Sequence, residues 1–105
     1  MASKVSPIAA GALVELHLPA AQSLKDKRQV VKSLIQRLKN RYNISIIEAG
    51  QLDLWQRAGF ALVFFALSQT EAVQSLAKIK NFIEQVTEAE IIKYETFYFH
   101  PEKDA

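Results

Sequence analysis

The side chains best suited to chemistry in this sequence are cations gathered in one stretch. Lys25, Lys27, Arg28, Lys32, Arg37, Lys39 and Arg41 follow one another with only Asp26 among them. A row of cations with almost no carboxylate suits a polyanion, because phosphates bind it by releasing counterions, with an affinity that falls steeply with salt. A helix face that merely keeps a protein soluble usually mixes signs, since opposite charges four residues apart support the helix. At about 100° per residue, Lys25, Arg28, Lys32 and Lys39 fall within a ~60° sector, and Arg37 and Arg41 lie on the other flank. Lys27 falls near the apolar stripe and is expected to aim at a rim of the core. The candidate nucleic-acid contacts are therefore Lys25, Lys27, Arg28, Lys32, Lys39 and Arg41. Trp55 and Arg57, in a later connection, join them as a base-stacking group and a phosphate contact. A plainer reading of that connection makes Trp55 a loop anchor folded onto the core, with Asp53 pairing with Arg57 or capping a turn.

Other chemistry finds little footing. The chain has no Cys, which removes disulfides, thiolate nucleophiles and Cys-ligated zinc together. His17 and His100 are the only histidines and belong to different elements, without carboxylates at ligand spacing. The three glycines, Gly11, Gly50 and Gly59, are too far apart to make a phosphate-cradling loop. No nucleophile stands beside a base in a recognisable motif. No catalytic residue, metal or cofactor is assigned, and a non-catalytic role is the expectation.

Behind these residues stand the elements that position them. With 105 residues, half of them hydrophobic, the chain fits one domain with one core. Its formal charge of +2 conceals a balance of +5 over residues 1–57 and −3 over 58–105. No apolar run approaches the ~20 residues that span a bilayer, and no signal peptide is recognisable, so a cytoplasmic location is expected. Residues 1–7 read as a flexible terminus, 8–99 as the domain and 100–105 as a polar tail. Residues 8–18 read as a strand that Pro19 closes. Ser23 and Asp26 then form a capping box for a helix running to Asn43, with Leu24, Val31, Leu34, Ile35, Leu38 and Tyr42 as its apolar stripe. Residues 44–49 and the apolar run 59–67 read as strands, the latter central. Ser68 and Glu71 cap a second helix, which buries Ala72, Leu76, Ile79, Ile83 and Val86, and residues 91–99 read as the last strand.

The order β-α-β-β-α-β, with right-handed crossovers, gives an α+β fold, the ferredoxin-like split β-α-β sandwich. Two helices cover one face of a four-stranded antiparallel sheet and leave the other open. The RNA-recognition motif shares this topology, and the run from Ala58 to Phe65 partly matches its third-strand signature. It lacks the cation at Ala58 and the stacking aromatic at Leu62, so RNA is expected on the first helix rather than on the sheet. An apolar open face is rarely left wet, and a homodimer through Leu13, Phe60, Leu62 and Phe64 is the expectation. A small-ligand site at a dimer seam is a further alternative.

Three strings carry a resemblance: Ala20-Ala21-Gln22-Ser23-Leu24-Lys25-Asp26-Lys27-Arg28, Asn40-Arg41-Tyr42-Asn43-Ile44-Ser45 and Asp53-Leu54-Trp55-Gln56-Arg57-Ala58. In this order and spacing the chain resembles the YlxP-like family of uncharacterised small bacterial proteins, from about residue 10 to residue 98. The resemblance implies the ferredoxin-like fold and a bacterial cytoplasmic protein, encoded beside genes for translation initiation and ribosome maturation. The partner it suggests is a structured RNA or a ribosomal particle. The family has no established activity, so it supplies no catalytic residue.

Overall fold

The fold is that of a computed structural model describing residues 5–50 and 54–104. Its elements are β1 (Ile8–His17), α1 (Leu24–Arg41), β2 (Ser45–Glu48), β3 (Arg57–Ala66), α2 (Gln69–Val86), β4 (Glu90–Phe99) and a single turn α3 (Pro101–Asp104). The four strands form one sheet in the order β2-β3-β1-β4, with every neighbouring pair antiparallel. This is the ferredoxin-like arrangement.

Both long helices begin as their capping residues dictate. Ser23 Oγ accepts from Asp26 N at 3.1 Å, and the Asp26 carboxylate accepts from Gln22 N at 3.1 Å. Ser68 Oγ accepts from Glu71 N at 3.1 Å, and Glu71 accepts from Leu67 N at 3.2 Å. In each case two backbone donors at the helix start are satisfied reciprocally. The carboxylate reaches the residue before the N-cap, one position earlier than in the usual box.

Alternation along the strands divides the sheet into two faces. Ile8, Ala10, Ala12, Val14 and Leu16 of β1 turn toward the helices, level with Ala66, Phe64, Leu62, Phe60 and Ala58 of β3. Ile46, Tyr94 and Tyr98 complete this side from the flanking strands. Val31, Leu34 and Leu38 of α1 and Ala72, Leu76, Ile79 and Ile83 of α2 close over it and are buried. Tyr94 fastens β4 to α2, its hydroxyl donating to the Leu76 carbonyl at 2.7 Å. Burial holds the Tyr94 phenol well above its ordinary titration range, and the nearby phenols of Tyr98 and Tyr42 add to the effect.

The register corrects the expectation for β3. Phe60 and Leu62 are each 1% exposed and belong to the core between sheet and helices, and Phe64 packs half-buried against it. None of the three lies on the open face. The open face of β3 consists instead of Arg57, Gly59, Ala61, Val63 and Phe65. Leu13, the fourth residue expected there, does lie on it and is exposed. The resemblance to the RNA-binding signature fails for the same reason, since Phe60 and Leu62 point away from any ligand on the sheet. Gly59 has a local structural cause: a Cβ there would collide with the Ala49 carbonyl, where the chain leaving β2 closes on β3 and Ala49 N donates to Gly59 O.

Within the polar tail, residues 101–104 form the single turn α3 behind His100, whose backbone N–H donates to Asp104 Oδ2 at 2.6 Å. Among the described residues, no helix is long and apolar enough to cross a membrane.

Candidate nucleic-acid interface

Helix α1 packs through Val31, Leu34 and Leu38, which leaves the rest of its cylinder in solvent. Lys25, Arg28, Lys32 and Lys39 are all exposed along one flank, roughly 120° around the helix from the buried stripe. Their fourteen-residue span is a track roughly 21 Å long at the usual helical rise. Gln36 lies along the same side and bonds Asn40 at 3.0 Å, without adding charge. The one acidic residue of α1, Asp26, is occupied at the N-terminal cap. Among the described residues, none of these four cations forms an ion pair. The track is therefore of single sign and open to an outside anion.

The other predicted contacts are distributed differently. Lys27 is fully buried, at 0% exposure, and is removed from the set. Its position on the wheel carries it past the rim into the core, and no buried side-chain nitrogen or oxygen among the described residues lacks a hydrogen-bond partner. Arg41 is exposed but turned aside: its guanidinium stands over the rings of Phe82, at 5.0 Å, and Tyr42, at 5.9 Å. Arg37, on the same flank, donates to the Val86 carbonyl at 3.3 Å. Both arginines stitch α1 to α2 and its end rather than extending the track.

Trp55 is 51% exposed in the turn before β3, so it is not the buried anchor expected of it, and Asp53 lies outside the described residues. Arg57 pairs in register with His17 on the open face, so the sheet stands between it and the α1 track. The structure thus assembles Lys25, Arg28, Lys32 and Lys39 and does not bring Arg57 to them. Gln56, which no sequence signal singled out, holds this corner together. Its carbonyl accepts from Leu18 N at 2.9 Å, and its amide approaches the Pro19 and Ala21 carbonyls at 3.5 and 3.4 Å. These bonds tie the turn carrying Trp55 to the connection that launches α1.

Beside α1 lies an open groove of about 610 Å³, bounded by the β1–α1 connection and residues 86–89. Leu18, Ala21, Val30 and Leu34 supply its apolar wall, with Asp26, Gln29, Ser33 and Arg37 along the helical side. Among the described residues no group of three His, Asp or Glu side chains is placed to hold a metal ion.

Residues 10–96, most of the chain, match the family described as "Protein of unknown function (DUF503)". The chain belongs to this family. It is also 37% identical, over 70 residues, to the "Uncharacterized protein YlxP" of Bacillus subtilis (strain 168). That match covers 67% of this chain and 76% of the relative. The family match spans most of β1 through most of β4, so in this DUF503 member the α1 track lies within the shared domain, and so does the open sheet face apart from Ala9, Phe97 and Phe99.

Proposed function

We propose that this DUF503 protein is a non-catalytic binding module of the cytoplasm that holds the phosphate backbone of a structured RNA along α1, on a ribosomal particle. The observation that carries the reading is the α1 track: four exposed cations on one side of a rigid helix, with no carboxylate paired to them among the described residues. The seven-residue steps from Lys25 to Lys32 to Lys39 spread these charges every ~10.5 Å along the axis, so that they meet separate phosphates. No base edge is read in this arrangement, so binding depends on backbone shape rather than on sequence. Trp55 and Leu54, exposed at the N-terminal end of α1, give a stacking group for an unpaired base beside the track.

The test is a titration of a labelled RNA hairpin at two salt concentrations. Four phosphate contacts give a slope of about −3.6 in log K against log salt, so raising salt from about 50 to 200 mM weakens binding about 150-fold. Reversing Arg28 and Lys32 to Glu should at least halve that slope, while the charge-matched reversals of Lys78 and Lys103 should change it little. Absence of binding at low salt, or equal losses in the two double variants, would end the proposal. Nuclease treatment of a lysate separates this reading from an acidic protein partner, which would stay bound.

A further inference from the structure

The sheet face away from the helices is apolar over one half and charged over the other. At one end stand Leu13, Ile47, Val63, Phe65, Phe97 and Phe99, between 38% and 72% exposed. Between them runs a shallow floor along the middle of the sheet, made by Ala9, Gly11 and Ala61. Phe97 lies down over Gly11: a Cβ at Gly11 would strike its ring. The two halves of the face are thus a trough flanked by aromatic and aliphatic ridges, and a mixed-sign end holding Glu15, His17, Arg57, Glu90, Lys93 and Glu95, with Glu90 against His17 at 3.5 Å.

We infer that two copies of the chain stack through this face, making four layers with the helices outermost. The area is sufficient. Taking 150–250 Å² for a whole large side chain, the six exposed groups offer roughly 500 Å² per copy. Two copies then bury about 1,000 Å² before their rims are counted, the threshold for a specific interface. The charges also match a second copy. A two-fold axis running along the strands sets apolar half on apolar half and mixed-sign end on mixed-sign end, and it lays β3 over β1, so that Arg57 comes over the Glu15 end of β1 in the other copy while Lys93 keeps Glu95 of its own chain at 3.2 Å. A single-sign end would repel itself under the same symmetry. Sheets packed this way lie about 10 Å apart with their strands nearly aligned. If the α1 tracks bind RNA as proposed above, they then point in opposite directions, and one dimer holds two separate RNA segments.

Sedimentation equilibrium of the full chain, without RNA, tests the dimer independently of any nucleic-acid reading. The expected mass is twice 11.8 kDa. Phe65→Glu and, separately, Leu13→Glu should raise the dimer dissociation constant at least 100-fold while leaving the far-UV circular dichroism unchanged. Wild-type protein that stays at 11.8 kDa across the concentration range overturns the inference. So does a dimer that survives both substitutions, which would place the contact at a strand edge. Where one variant fails to fold, the other and the wild-type mass still decide.

Discussion

Substitution of two phenylalanines on opposite faces of β3 tests the register most directly. Phe60 is 1% exposed and sits opposite Val14 against the helices, whereas Phe65 is 72% exposed on the other face. Phe60→Ala removes a buried ring and leaves a cavity that close-packed neighbours only partly refill, a loss of about 3–5 kcal/mol. A domain of this size has a total stability of roughly 5–15 kcal/mol, so a large fraction is lost. The melting temperature should fall by at least about 12 °C. Phe65→Ala removes a ring that is already mostly in water, and the monomer should change by no more than about 0.5 kcal/mol. Urea melts followed by far-UV circular dichroism give both numbers. They are best made at low-micromolar protein, so that association through Phe65 contributes little. The midpoint should move without a change in slope. Equal losses, or a larger loss at Phe65, would put the odd-numbered residues of β3 against the helices and refute the face assignment.

Three further outcomes follow from particular contacts. Gly11→Ala should cost about 1–3 kcal/mol in thermal melts through overpacking. Adding Phe97→Ala should restore only part of it, because the Leu62 carbonyl of the neighbouring strand also occupies the space of the new methyl. Tyr94 is held in its neutral form by folding, whereas an unfolded tyrosine titrates near pH 10. Its contribution is therefore constant below that pH, and above it stability should fall by up to about 1.4 kcal/mol per pH unit. Tyr94→Phe should remove this share of the alkaline slope and cost about 0.5–1.5 kcal/mol at neutral pH, through the lost bond to Leu76, as read from denaturation curves at several pH values. Ser23→Ala and Ser68→Ala should each cost about 1 kcal/mol in chemical denaturation, and the double variant their sum, since the two caps share no partner.

Local signals in the sequence determined the elements and their order. Ser23 with Asp26, and Ser68 with Glu71, mark two helix starts by side-chain chemistry that acts within four residues. The 3.6-residue spacing of Val31, Leu34 and Leu38 marks the buried side of α1, and so leaves Lys25, Arg28, Lys32 and Lys39 in water. From these the β-α-β-β-α-β order follows, and the order permits few topologies. Tertiary structure alone decided which face of β3 meets the helices. Its run is apolar on both sides, so the two-residue period that reveals a buried face is missing, and the direction is set only by pairing Phe60 with Val14. The same holds for Lys27, because the wheel places it beside the apolar stripe and only the packed neighbours decide whether its long side chain reaches water or the core. Gly59 and Gln56 were illegible for a related reason. The Ala49 carbonyl, just beyond β2, excludes a Cβ at the first, and the second bonds a connection 35 to 38 residues away. Such partners are neighbours in space and not in the chain.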